Sequence, residues 1–389
     1  MTRLNEEVQS LCPIGVPKIS IGSLICRKRL KAKNYKGNTK VYAVTNSVGF
    51  VLSSDLHEFQ IHSEDTSNYN VVEKNDFAYN PSRLNIGSIA FYPNEESGLI
   101  SPMYVVFSID EEKITPQYLY LNICSNNVKG KIESLKEEGA RFRFDFSRWN
   151  KIEIPLPPLP IQQRIVEILD KFTSLVSSLD SEIALRQKQY EYYRNKLLTF
   201  EEGDEVVEWK KLGDVGNVYM CKRIMKAQTD SEGEVPFFKI GTFGKEPDAY
   251  ISRELFETYK TNYNYPEVGD VLISAAGTIG RTVVFDGTPS YFQDSNIVWI
   301  RNDESLVFNS YLKYFYTVAE WDIDYGGVVA RLYNDKLKAT PIPIPPKSVQ
   351  HSIVQTLDTF ESLLANLKQE RELRQKQYEY YREKLLTFD

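Results

Sequence analysis

The residues best suited to chemistry are cations. Between Arg27 and Lys40 stand Arg27, Lys28, Arg29, Lys31, Lys33, Lys36 and Lys40, seven positive charges in fourteen positions with no acidic residue among them. A run of this kind is usually a solvated face. In a chain of net charge −6 it is also a candidate grip on a polyanion, because phosphate contacts depend on local Lys and Arg density. Side chains of the kind that pair with base edges occur in two further places. Ser82, Arg83 and Asn85 form one polar loop, and Arg141 and Arg143 follow Gly139, alternating with Phe142, Phe144 and Phe146 as on a strand with one wet face. Thr278, Arg281, Gln293, Asp294 and Arg331 are the comparable set later in the chain. Taken singly, each is as well suited to a structural salt bridge or to solvent.

Catalytic patterns are missing. Asn80-Pro81 runs into Ser82-Arg83, so no Asn/Asp-Pro-Pro-aromatic motif of an adenine methyltransferase is present, and the Pro-Pro pairs at 157–158 and 345–346 lack its flanking residues. No G-x-G-x-x-G opens a helix, and Gly277-Thr278-Ile279-Gly280 lacks the Lys of a P-loop. That glycine pair reads as a turn between strands. His57 and His62 are too far apart for a shared metal, and His351 stands where the chain's other half has Gln163. Nothing signals a serine nucleophile. The residues point to a chain that binds and does not itself catalyse.

The elements that would position these groups come from a duplication. Residues 186–200 read RQKQYEYYRNKLLTF and residues 374–388 read RQKQYEYYREKLLTF, differing only at Asn195 against Glu383. The same offset of 188 aligns Ile165-Val166 with Ile353-Val354, Leu169-Asp170 with Leu357-Asp358, Phe172 with Phe360 and Leu175 with Leu363. It also aligns Ile154-Pro155-Leu156-Pro157-Pro158 with Ile342-Pro343-Ile344-Pro345-Pro346, and Arg143 with Arg331. A repeat of this length governs the whole architecture.

Each proline-rich stretch predicts a stiff extended lead-in with a helix starting after it. Apolar residues then recur by threes and fours. They are Ile161, Ile165, Ile168, Phe172, Leu175, Leu179, Ile183, Tyr190, Tyr193 and Leu197, with one extra residue near Ser181. The second copy has Val349, Ile353, Leu357, Phe360, Leu364, Leu367, Tyr378, Tyr381 and Leu385. About forty residues make a rod of about 60 Å. A lone rod cannot leave its stripe in water, so either it packs on its own globular domain or the two rods pair. Two nearly identical rods favour antiparallel pairing with a domain at each end.

The remaining sequence reads as strands at 41–52, 86–92, 103–109, 271–274, 282–285 and 296–300, with helices near 116–124 and 309–320. The expected fold is α+β. It has two β-rich domains (1–150 and 209–338), two proline-led helices (151–208 and 339–389), and a pseudo-twofold repeat. A hydrophobic share of 42% suits folded domains. The four scattered cysteines and the absence of a membrane-length apolar run suggest a reducing cytoplasm.

In its PLPPLPIQQRIV lead-in, its two RQKQYEYYR…KLLTF helix ends and its GTIGRTVVF…YFQDSNIVWI stretch, the chain resembles the specificity (S) subunits of Type I restriction–modification systems. The resemblance covers essentially the whole sequence. It implies two target recognition domains, each reading half of a bipartite asymmetric double-stranded DNA site, and paired helices that set the spacing. It also implies docking of two methyltransferase (M) subunits, joined by motor-nuclease (R) subunits. S-adenosylmethionine, ATP and Mg would then sit on those partners and not on this chain.

On that view Arg27, Lys28, Arg29, Lys31 and Lys33 would hold phosphates, while the polar sets above would face bases. Arg143 and Arg331, kept in both copies, cannot explain two different half-sites and would serve shared architecture or a repeated partner contact. Helix pairing or partner docking would fall to Ile165, Leu169, Phe172, Tyr190, Tyr193, Leu197, Ile353, Leu357, Phe360, Tyr378, Tyr381 and Leu385. Two other readings remain: a non-catalytic coiled-coil scaffold whose domains bind proteins, and an enzyme with an unrecognised site.

Overall fold

The computed structural model describes residues 2–37, 40–46, 48–56, 65–136, 142–201, 206–327 and 329–388. His57, His62, Gly139 and Arg141 lie outside these residues. The first half contains β1 (Lys18–Ser20), β2 (Ile25–Lys28), β3 (Val41–Thr45), β4 (Gly49–Leu52) and β5 (Asn70–Val72). It continues with β6 (Phe77–Tyr79), β7 (Ile89–Phe91), β8 (Gly98–Ile100), β9 (Val105–Ile109) and β10 (Glu153–Pro155). Its helices are α1 (Thr2–Leu11), α2 (Ser53–Leu56), α3 (Pro116–Ile123), α4 (Asn126–Ser134) and the 40-residue α5 (Leu159–Leu198).

The second half contains β11 (Glu208–Lys211), β12 (Gly216–Tyr219), β13 (Val235–Phe238), β14 (Tyr250–Ile251) and β15 (Val271–Ser274). Then come β16 (Thr282–Val284), β17 (Tyr291–Phe292), β18 (Ile297–Asn302) and β19 (Pro341–Ile344). Its helices are α6 (Leu212–Val215), α7 (Arg253–Asn262), α8 (Asn309–Phe315), α9 (Asn334–Ala339) and the 41-residue α10 (Lys347–Thr387).

One topology occurs twice, with β5 added on β8 in the first half only. An antiparallel sheet runs β2-β9-β6-β7 in the first half and β12-β18-β15-β16 in the second. A mixed sheet follows: β3 pairs antiparallel with β4 and parallel with β8, as β13 does with β14 and β17. Finally β1 pairs with β10 and β11 with β19, tying the strand before each domain to the proline-rich strand after it. Prolines are tolerated there because each pair has open edges.

The chain divides into two compact units, Met1–Asp180 with Gln369–Asp389, and Ser181–Lys368. Each unit holds a domain and segments of both long helices. In the first, Ile161, Ile165 and Leu169 of α5 and Leu385 and Leu386 of α10 share a core with Tyr79, Phe107 and Trp149. In the second, Tyr190 and Leu198 of α5 and Ile353, Leu357 and Leu364 of α10 share one with Leu312, Tyr314 and Ile342.

The helix segments also pair. Phe172 stacks on Tyr381 with centroids 5.3 Å apart, and Asp180 accepts from Arg371 at 3.0 Å. In the other unit Tyr193 stacks on Phe360 at 5.6 Å, and the Tyr190 hydroxyl donates to Glu361 at 3.2 Å. In each, positions rise along one helix as they fall along the other, so the paired segments are antiparallel. The two stacks exchange equivalent residues, a tyrosine from one helix lying on the phenylalanine of its partner. Such stacks contribute about 0.5–1.5 kcal/mol beyond area burial.

Five details differ from the sequence reading, the first being that the strand expected at 41–52 is an antiparallel hairpin of β3 and β4. Helix α5 begins at Leu159, with Pro160 in its first turn, where a missing N–H costs nothing. Leu175 and Val349 are exposed, and the buried position beside Leu175 is Val176, because the stripe turns from domain core to helix partner there. Residues 142–145 form no strand and lead into a 3₁₀ turn at Phe146–Lys151, although Phe144 is buried between exposed Arg143 and Asp145. The strand expected at 86–92 is shortened to β7, since Leu84–Ile86 is a 3₁₀ turn ending on Gly87 at φ 90.

Candidate nucleic-acid interface

Three chain segments meet in the first unit. They are the basic run leaving β2, the loop joining β6 to β7, and Arg143 ahead of the helix. Together with the link from β8 to β9 they line a cleft of about 690 Å³ whose walls include Arg27, Lys28, Arg29, Lys31, Ser82, Arg83 and Arg143. The structure therefore gathers most of the first domain's candidates. Lys33 and Asn85 are exposed but lie outside the cleft lining.

Their charges are not equivalent. The Lys28 ammonium sits 2.8 Å from Asp76 and 2.5 Å from Glu73, so it is spent on a partly buried ion pair. Burial pushes the Asp76 carboxyl above the usual carboxylate range, against the pull of Lys28. Burial works to lower Lys28, but hydrogen bonds and charge from Asp76 and Glu73 outweigh it and hold the ammonium above its ordinary value. Asp76 also accepts the Glu73 N–H at 2.8 Å, closing the turn before β6. Lys28 thus ties the start of the basic run to the turn before β6.

Lys31 donates to the Asn70 side chain at 2.7 Å and to the Asn68 carbonyl at 3.1 Å, neutral partners that leave its charge in place. Arg29 and Arg83 are exposed at the cleft, and Arg27 lies 6.0 Å from the Phe146 ring centre.

The second unit places its candidates on matching elements. Thr278 and Arg281 occupy the loop joining β15 to β16, the counterpart of the β6–β7 loop. Ser274 holds that loop closed: its hydroxyl donates to the Thr278 carbonyl at 2.6 Å and accepts the Arg281 N–H at 2.9 Å. Gly277 and Gly280 carry φ of +67 and +85, so the glycine pair is the turn expected.

Arg281 donates to the Phe243 carbonyl at 2.9 Å, and the Gln293 side-chain oxygen accepts the Ile240 N–H at 2.9 Å. Both therefore brace loops. Asp294 pairs with the largely exposed Arg223 at 2.8 Å. Arg331 is exposed, and its neighbour Leu332 donates its N–H to the Ala275 carbonyl at 2.9 Å. Phe144 does the same to Pro81 at 2.9 Å, so Arg143 and Arg331 each precede an identical backbone tie. The two arginines thus share one place in the repeated fold.

Two sets of residues escaped the sequence reading. Lys222, Arg223 and Lys226 leave β12 as the basic run leaves β2, and all three are exposed. Interleaved Ile224 and Met225 hid them. Gln162 and Gln350, one helical turn into α5 and α10, are fully buried. Gln162 donates to the carbonyls of Lys113 and Pro157, both at 2.8 Å, and accepts from the Thr115 N–H at 2.9 Å. Gln350 repeats this with Leu306 at 3.0 Å, Pro345 at 2.9 Å and Phe308 at 3.0 Å. Aligned in the 188 register, the two glutamines coincide, which was the available signal.

Most of the residues expected to pair the helices or dock a partner turn inward. Ile165, Leu169, Ile353, Leu357, Leu385 and Tyr190 are buried in the two cores, and Leu197 and Tyr378 pack against them. Outward on the same helices stand Leu185 and Tyr192, and their counterparts Leu373 and Tyr380. Glu383, the one difference between the repeated segments, accepts the Asn126 N–H at 3.1 Å at the start of α4, where a carboxylate suits the helix dipole.

A duplicated α+β domain with cations and polar loops at one repeated place is the architecture of a two-site nucleic-acid reader. Comparison with known proteins agrees. The family model for the Type I restriction modification DNA specificity domain matches twice, over residues 18–185 and 205–374. The chain is 53% identical over 290 residues to a putative type I restriction enzyme specificity subunit from Haemophilus influenzae, covering 72% of this chain and 74% of that protein. It is 32% identical over 315 residues to the EcoR124I/EcoR124II specificity subunit from Escherichia coli, covering 74% of each. The fold is similar to that of the HsdS subunit from Thermoanaerobacter tengcongensis, with a TM-score of 0.52 at 17% identity over 97% of both chains. The chain belongs to the Type I restriction–modification DNA specificity family.

Proposed function

We propose that this chain is the DNA-specificity subunit of a Type I restriction–modification complex. Each domain reads one half of a bipartite asymmetric double-stranded site, and the paired helices set the gap between the halves. The observation that carries this is one topology used twice, with unlike side chains at the same two loops of each main sheet. Like folds set the docking mode, and unlike loops set the bases read.

Two methyltransferase subunits would dock on the repeated outward faces carrying Leu185 with Tyr192 and Leu373 with Tyr380. The identity of those faces supports one partner bound twice. Motor-nuclease subunits would join that core. S-adenosylmethionine, ATP and Mg would be held by the partners, and methyl transfer would require them. No helix among the described residues is long and apolar enough to cross a membrane, and the scattered cysteines fit a cytoplasmic site of action.

Salt dependence tests the DNA contact. Duplex affinity of the complex with its methyltransferase partner should fall linearly with salt on logarithmic axes, by about 0.9 per phosphate contact. Replacing Arg29 and Arg83 together by alanine should make that slope shallower by up to two contacts. An unchanged slope in the double variant would remove the cleft from the interface.

A further inference from the structure

The second domain displays an aromatic side chain outside the cation and polar-loop sets described above. Tyr325 is 75% exposed, more than Tyr380 or Tyr192. It opens a short loop whose ends are tied: Asp324 and Arg331 exchange N–H to carbonyl hydrogen bonds of 2.9 and 3.0 Å. The Asp324 carboxylate accepts the Gly326 N–H at 2.7 Å, which turns the chain at once. On its far side the loop is fastened to the glycine hairpin, where the Gly277 N–H donates to the Ala330 carbonyl at 3.1 Å.

Gly280 is required in the same assembly, since a Cβ there would lie 2.8 Å from the Trp321 ring nitrogen. The loop and hairpin are therefore one braced piece. Its described tip, Tyr325, Gly326, Gly327 and Val329, bears no charge, and Val329 is also exposed.

An uncharged aromatic tip between Thr278 and Arg331 is poorly suited to phosphates and well suited to the faces of bases. We propose that Tyr325 is a wedge that enters a groove of the duplex and stacks on a base step in the half-site of the second domain. This rests on the DNA-reading function above. Apolar side chains inserted at a step unstack it, and an aromatic ring offers a replacement face to the separated base. Arg331, exposed at the closing pair of the loop, supplies the cation beside the wedge, while the charge of Asp322 is offset by Lys336 at 2.9 Å. In the 188 register the first domain has Glu137 where the second has Tyr325.

The test uses the complex of this chain with its methyltransferase partner and a duplex carrying the site mapped from host methylation. Single 2-aminopurine substitutions are placed away from the methylated adenines. The wild-type complex and Tyr325→Phe should change fluorescence at one step of the second half-site. Tyr325→Ala should lose that signal and bind about tenfold or more weakly, with partner assembly intact. The wedge is overturned if Tyr325→Ala binds and fluoresces as wild type, or if its defect is lost assembly. A wild-type complex that binds no site would instead sink the DNA-reading function itself, a distinct result.

Discussion

Replacing Gln162 by leucine is expected to lower the unfolding free energy by about 3–5 kcal/mol, with Gln350→Leu costing a similar amount. The side chains have comparable volume, so the loss is one of hydrogen bonds and not of packing. Each amide spends both donors and one acceptor on backbone groups, and neither is exposed. Leucine would take away the partner of an N–H and two carbonyls, at about 1–3 kcal/mol for each group that water does not reach.

Location makes the effect matter for function. Thr115 caps α3 and Phe308 caps α8, so each glutamine joins the start of a domain helix to the proline turn that launches a long helix. The Tyr118 and Tyr311 hydroxyls reinforce the joints, donating to the carbonyls of Pro155 at 3.0 Å and Pro343 at 3.1 Å. Denaturant unfolding of the two variants checks the prediction. Midpoints equal to wild type would mean that the stranded groups find other partners.

The second expectation concerns recognition. Exchanging residues 212–338 for the matching segment of another family member should change one half of the methylated site completely and leave the other half and the gap intact. The segment lies between β11 and β19, so that strand pair, the Gln350 contact with Pro345 and both long helices stay in place. What moves is the set of loops at the candidate interface: the basic segment after β12, the β15–β16 hairpin and the Tyr325 loop. Sequencing of methylated DNA from cells carrying the exchanged chain reads the result. A change in both halves, or in neither, would contradict a division of labour between domains.

How far the sequence revealed this depends on the kind of signal. Periodicity located both long helices to within a few residues, and β-branched runs located β3, β9, β15 and β18, because those patterns are local. The duplication announced a repeated topology before any strand was placed. Long-range pairing was not legible. The run containing Lys28 has no acidic residue, yet the fold brings Glu73 and Asp76 onto it from more than forty positions away. Residues 142–146 alternate like a strand, but the Phe144 N–H goes to the Pro81 carbonyl and not to a ladder. A lone buried glutamine has no periodic signature at all, so Gln162 and Gln350 show themselves only through comparison of the two copies.

Two unlike domains on one repeated frame should read two unlike half-sites. Expressing this chain with its genomic methyltransferase partner and mapping methylated adenines tests it most directly. The predicted result is a single split motif, two different half-sites separated by a gap of constant length. A continuous palindromic motif, or no methylation although the complex forms, would contradict it.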